Sequence, residues 1–484
     1  MRNTSTKRAA LLLSLFCAWQ LHSSVALAED GTDGEELPLD APVPEAEKSV
    51  SQAGDDIGLW DRYVNYMRSE MNRIGEMDLY GVTGQLPKGY LSAKWDRGWI
   101  KAKNRYNDQR KLGPVMPPIE FKQGDDTLLS VDMGLGGHGG GHTFQFSYGI
   151  TNPVDWYFEL PFTYMNISFN PKVNEIDPEN KKGLKGYKIH PLAAGMLGVA
   201  DPQKYSTCEF LHKTLPYLGR PPVATSYKGE WMLGDINTGF SWNIYRNDRF
   251  SIALTPRVFL PTGYKPKPEE SLTYATGPAV ETGIGGWAVS ATEGFDVKLF
   301  EIPKIFSSML FSTEFTAGYA FEQQRPYPNN FVKPNPAAVG LDPVSFPDLS
   351  GLSGDFSYTP GWSMSWTAQL KLQLAIFGLG VGYGLDWSAE PELAGDPAFV
   401  QMAKGLQLLG SQTVQAVQMA GSISLLGLCA VTPICVPVDL SVQYTKVIDG
   451  YNALVFDNFW QLTIKGYIPI NPSDDTGPVS TGGK

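Results

Sequence analysis

Residues able to do chemistry are sparse in this 484-residue chain, and the densest group of them is Gly136-Gly137-His138-Gly139-Gly140-Gly141-His142. His138-Gly139-Gly140-Gly141 has the composition of an esterase oxyanion loop, whose backbone N–H groups stabilise a tetrahedral oxyanion. That chemistry needs an activated serine, and the sequence has no Gly-x-Ser-x-Gly. A membrane-embedded hydrolase is therefore a poor reading. His138 and His142 could begin a metal site, but such sites need further ligands, and only His190 and His212 remain beyond the N-terminal leader. No metal is expected. The glycines predict instead a flexible, irregular upper end to the strand that bears them.

The other chemical groups sit one by one on the polar sides of alternating segments: Glu159, Asp235, Asn237, Arg257, Glu314, Gln369, Lys371, Asp439 and Lys465. On the inside of a barrel they would line a pathway and set a local field on a passing solute. Equally, they would pair across strands and fill a narrow lumen. Both readings stand at this level. Cysteine chemistry is limited to Cys208, Cys429 and Cys435 once Cys17 leaves with the leader. In an oxidising compartment Cys429 and Cys435 are spaced to close a short loop as a disulfide. Cys208 is then left over. No Cys-x-x-Cys-His occurs, so covalent haem is excluded, and no cofactor is expected.

Alternation is what positions these groups. Trp362, Met364, Trp366, Ala368, Leu370, Leu372, Leu374 and Ile376 interleave with Ser363, Ser365, Thr367, Gln369, Lys371, Gln373 and Ala375. A period of two sends the first set to one face and the second to the other. The same pattern runs through 143–150, 155–164, 235–244, 438–445 and 460–465. Aromatic residues crowd the strand ends, among them Trp156, Phe169, Trp231, Tyr245, Phe259, Trp387 and Phe459. Girdles at two membrane interfaces have that signature. Beyond the leader, no apolar run is long enough for a helical span, since Ile423 to Val438 is cut by Pro433 and Pro437.

The predicted fold is all-β: a transmembrane antiparallel barrel spanning 81–470, with an N-terminal helix and long extracellular loops. Sheet edges find no partner in lipid, so the barrel must close, in bacteria usually with an even strand number. About twelve strands fit: 88–106, 128–150, 154–169, 227–245, 250–264, 279–299, 307–323, 355–377, 379–390, 418–428, 436–449 and 455–470. Ten or fourteen are also compatible. Short turns then share one side, and the long connections 107–127, 170–226, 265–278, 324–354 and 391–417 share the other.

The N-terminus reads as a signal peptide over 1–28: Arg2, Lys7 and Arg8, an apolar stretch from Ala9 to Trp19, then Ala26-Leu27-Ala28 before the cut. Residues 29–56 carry ten carboxylates against Lys48 alone, a composition that predicts a disordered leader. Residues 57–80 hold an amphipathic helix, with Ile57, Trp60, Val64, Met71 and Ile74 on one face, placed to plug the lumen or lie beneath it. A weaker helix is predicted over Phe399 to Met419, on an outer loop where it would act as a lid. Residues 471–484 form a C-terminal tail. The net charge of −11 and the lack of a basic patch exclude nucleic acid as a partner.

Several turns carry family motifs. Phe146-Ser147-Tyr148-Gly149-Ile150-Thr151-Asn152, followed by Trp156 to Phe162, resembles a hairpin of the barrel family named for the phenol meta-degradation pathway. Leu86-Pro87-Lys88-Gly89 resembles that family's entry to its first strand. Leu233-Gly234-Asp235-Ile236 with Val258-Phe259-Leu260-Pro261-Thr262-Gly263 resembles its next paired motif. The resemblance covers about 88–300. It implies an outer-membrane channel for aromatic or other hydrophobic compounds, in the wider company of fatty-acid transporter barrels. The expected partners are outer-membrane lipid and a small-molecule solute. The expected process is passive uptake without covalent chemistry. The rival expectation is a structural barrel whose acidic leader docks a periplasmic partner.

Overall fold

Twelve long strands form one closed antiparallel barrel. The computed structural model describes residues 82–115, 118–123, 126–132, 134–168, 170, 172–173, 215–219, 226–247, 249–265, 282–302, 307–339, 347–374, 376–405, 410–425, 438–457 and 459–470. The signal peptide, the acidic leader, the helix expected at 57–80, Cys208, Cys429, Cys435 and the tail 471–484 lie outside the described residues.

The barrel strands are β1 (Tyr90–Tyr106), β2 (Gly136–Thr151), β3 (Val154–Ser168), β4 (Ile236–Arg246), β5 (Phe250–Leu260) and β6 (Ala288–Ile302). They continue as β7 (Ser307–Ala320), β8 (Gly361–Leu374), β9 (Phe377–Ser388), β10 (Gln412–Ser424), β11 (Val438–Tyr451) and β12 (Phe459–Pro469). Each pairs with its sequence neighbours, and β12 returns to β1 in an unbroken register from Tyr90 opposite Pro469 to Trp99 opposite Trp460. Closure leaves no backbone edge for lipid to meet, which would cost several kcal/mol for every unsatisfied group.

Alternation sorts the faces as expected. On β8 the even-numbered side chains point out and the odd-numbered ones point in, with Gln373 buried. Leu379 at 60% exposure, Met419 at 59% and Val381 at 57% belong to an apolar exterior that water would not tolerate. Trp156, Trp242 and Phe377 mark one margin of that exterior, and Trp99, Trp366, Trp387 and Trp460 the other. The solvent that suits such a wall is a bilayer. With closure and an even count, this is a bacterial outer-membrane barrel. The connections after β2, β4, β6 and β8 are the shortest and mark the periplasmic end, which the β10–β11 connection shares, and the opposite end is external.

Several predicted boundaries need correction. The tenth strand spans Gln412–Ser424 rather than 418–428, and the outer helix, α1, is Pro397–Gly405 rather than Phe399 to Met419. Asp396 caps that helix by accepting the Ala398 and Phe399 N–H groups at 2.9 and 3.0 Å. Its packing partners are Tyr327, Phe331 and Leu349, so its apolar face is spent within nine residues. From Gln412 the chain instead supplies twelve paired positions to β9. Segment 355–359 belongs to a small external sheet with 323–326 and 392–394, not to β8. Segment 126–132 likewise pairs with 119–123 and 172–173 outside the barrel. The glycine-rich end of β2 is regular, paired with β3 from Gly136 and with β1 from Gly137, and the irregularity expected there is absent.

Candidate functional site

The inner wall is where the polar faces converge. Its periplasmic part is occupied by residues 82–87, a strap that runs along the inside before the chain turns into β1. Tyr90 N–H donates to the Pro87 carbonyl at 3.1 Å, and Gly89 at φ 83° makes that turn in a conformation costly for any other residue. The Leu-Pro-Lys-Gly motif read in the sequence is therefore the hinge between strap and wall.

Carboxylates hold the strap. Asp296 on β6 accepts from Val82 N at 3.1 Å, Thr83 N at 2.8 Å and Thr83 Oγ1 at 2.5 Å. Asp155 on β3 accepts from Leu86 N at 2.7 Å. The Gln85 side chain donates to the Ser241 carbonyl, and Asn243 donates to the Thr83 carbonyl. Thr83, Gln85 and Leu86 are each at most 3% exposed. Gly149 permits the approach, because a Cβ there would sit 2.1 Å from the Pro87 oxygen. Asp155 and Asp296 escaped the list of candidate residues in the sequence. Both lie on polar faces, and only the path of the strap distinguishes them.

Beyond the strap the charges fall into two groups. In the first, Asn237 donates to Glu159 at 2.5 Å, and the Arg257 guanidinium lies 5.4 Å from the Tyr157 ring centroid. Glu314 feels the charges of Arg257, Lys371 and Asp296. Gln369 neighbours Lys371 on β8 and reaches Gln418 at 3.5 Å. In the second group, Lys94 pairs with Asp96 at 2.9 Å, and Asp96 also accepts from Gln461 and Thr463. Lys465 stands opposite Asp439 in the β11–β12 register, with the Tyr467 hydroxyl donating to Asp439 at 2.9 Å. Asp235 stands apart. Both its carboxylate oxygens accept backbone N–H groups of the external connection, Gly263 at 2.8 Å and Ile284 at 2.5 Å.

Near its external end the wall from β7 to β10 is lined largely by smaller groups. Thr316, Ser363, Ser365, Asp386, Ser388 and Val414 border a cavity of about 320 Å³ near the external end. Further down, Gly378, Gly380, Gly382 and Gly384 of β9 stand opposite Gln373, Lys371, Gln369 and Thr367, and the Ser422 and Gln373 side chains lie over Gly378 as Gln369 does over Gly382. The lumen is thus filled toward the periplasmic end by the strap and by long polar side chains, and it is recessed near the external end.

Arg257 stands between Gly239 and Ser290 in the strand register, lies against the Tyr157 ring and is the cation nearest Glu159 and Glu314 on this part of the wall. Arg257→Ala should raise the preference for cations over anions by roughly two- to threefold, as expected for losing a local potential on the order of kT. The reversal potential in a salt gradient measures this. An unchanged value would mean that permeating ions do not pass Arg257.

No protein-family model matches the chain, that of the meta-pathway barrels included, and no curated protein matches it. Among solved structures, an outer membrane channel from Pseudomonas putida F1 aligns at a TM-score of 0.44 and 9% identity, covering 81% of this chain and 99% of that one. The toluene transporter TbuX of Ralstonia pickettii aligns at 0.29 and 7% identity, covering 80% and 90%. The monoaromatic hydrocarbon channel CymD aligns at 0.28 and 9% identity, covering 80% and 89%. At such values the likeness adds nothing to what strand pairing already establishes.

Proposed function

We propose that this barrel is a passive channel for small solutes, aromatic and other hydrophobic compounds among them. The observation that carries the reading is the uneven inner wall. A strap and long polar side chains narrow the periplasmic part, while Thr316, Ser363, Ser365 and Ser388 border a recess near the external end. A purely structural barrel has no use for such a recess, and twelve strands enclose more space than the side-chain-filled eight-stranded barrels. The emphasis on hydrophobic solutes rests on the resemblance of the turn motifs to those of the meta-pathway family. Passage involves no bond making or breaking, and selection comes from the constriction and the fixed charges.

Reconstitution tests this. The protein in planar bilayers should give discrete single-channel steps, and proteoliposomes should admit small aromatic solutes faster than bulky ones of equal charge. Silence in both assays would transfer the barrel to the structural reading.

A further inference from the structure

The outer surface of β1 and β2 carries a cluster that a lipid-facing wall should not contain. Arg97 shares the outward face of β1 with Trp95 and Trp99, opposite His142 and one residue from the inward Asp96. Its guanidinium carbon lies 5.2 Å from the Trp99 ring, 5.7 Å from Tyr164 and 4.8 Å from Trp231. Trp231 comes from the external connection and packs on His142 at 4.6 Å and on Tyr164 at 4.5 Å, so the cluster faces the outer leaflet. Lys101 and Lys103, both exposed, continue the same face of β1 outward, and His138 stands opposite Lys101.

The cluster is rich in donors and short of acceptors. Trp95 Nε1 meets His142 Nδ1 at 3.0 Å, and Arg97 Nη1 meets His142 Nε2 at 2.9 Å. A neutral imidazole accepts at only one nitrogen, so one of these two donors has no acceptor there. Among the described residues, no carboxylate forms an ion pair with Arg97, Lys101 or Lys103, although the Asp457 N–H donates to the Lys101 carbonyl at 2.8 Å. An arginine on the lipid face of a barrel is disfavoured unless it meets a counter-charge. Arginine stacked on aromatic rings, with lysines beside it, is suited to a phosphate oxyanion.

We infer that this face binds the phosphorylated headgroup of an outer-leaflet glycolipid, its phosphate on Arg97 and Lys101 and its sugar against Trp99 and Trp231. The apolar wall below, with Phe144 and Phe146, is where the acyl chains lie. This site is on the outside of the barrel and stands whether or not the lumen conducts.

Full-length protein in neutral detergent, titrated with lipopolysaccharide, with its dephosphorylated form and with inorganic phosphate, separates the possibilities. Lipopolysaccharide should raise the temperature at which the folded, heat-modifiable form is lost. The dephosphorylated form should bind roughly tenfold or more weakly, and the Arg97→Gln/Lys101→Gln/Lys103→Gln variant should show the same loss. Lys101→Gln/Lys103→Gln, which leaves the aromatic cluster intact, should show a partial loss and guards against misfolding of the triple variant. Equal binding of both glycolipid forms, or equal binding by wild type and the lysine variant, overturns the inference. Inorganic phosphate binding as tightly as lipopolysaccharide would make this a free-anion site and overturn the lipid assignment.

Discussion

Leu370→Lys should destabilise the folded barrel by about 2–4 kcal/mol, while Gln369→Lys, one residue away, should cost less than about 1 kcal/mol. Leu370 points outward between Trp366 and Phe377, the aromatic residues toward either end of this hairpin, and it stands opposite Phe311 and Val381. A lysine there places its charge in hydrocarbon, too deep for its stem to reach either interface. Gln369 points inward, opposite Ser312 and Gly382, where a longer cationic side chain finds water and polar neighbours. Urea titration of the heat-modifiable band, or the yield of folded protein in lipid vesicles, reads the difference. Equal costs would mean that the β8 register is off by one residue, since a slip of one exchanges the two faces.

That contrast was legible in the sequence because lipid imposes a strict rule on one face of every strand. Trp362 to Leu374 shows it without exception, and the strand count followed from repeating it. What escaped has a common cause: the rule describes the membrane zone, and the missed features lie beyond it or break it. Asp355–Thr359 alternates as well as β8 does, yet it pairs with Gln323–Pro326 outside the barrel. The helix expected over Phe399 to Met419 would include Gln412 to Gln418, but the helical rhythm of Phe399, Met402 and Ala403 stops at Gly405. Arg97 occupies an outward position by parity, but as a single charge among tryptophans it carried no pattern to find. Glu293 does the same on β6, facing out between Leu254 and Phe315. Among the candidate residues, Glu159, Asn237, Arg257, Glu314 and Lys371 do gather on one stretch of wall. Asp235, chosen by the same parity, is taken up by the Gly263 and Ile284 N–H groups, a use that depends on where two external segments meet.

Releasing the strap should open the channel. Asp296 accepts three hydrogen bonds from Val82 and Thr83, and bonds to a charged acceptor contribute about 1.5–3 kcal/mol each. Asp296→Ala therefore removes several kcal/mol from the docked state, enough to detach residues 82–85 for a large share of the time. The wall itself should survive, because Asp296 contributes its backbone to the β5 and β7 ladders and only its side chain to the strap. Single-channel conductance of Asp296→Ala should rise toward that of a deletion of 29–86, with added noise as the freed segment moves in and out. Asp296→Asn keeps one acceptor and should fall between the two. Adding Asp155→Ala to Asp296→Ala removes the hold on Leu86 and should bring the variant level with the deletion. The helix expected at 57–80 leads directly into this strap, so a deletion of 29–77 separates their contributions. If that deletion alone gives the full increase, the narrowing comes from the helix and the strap merely anchors it. If neither deletion nor Asp296→Ala changes conductance, the strap lies clear of the permeation path. The constriction then belongs to the external connections, where α1 packs against Tyr327 and Phe331.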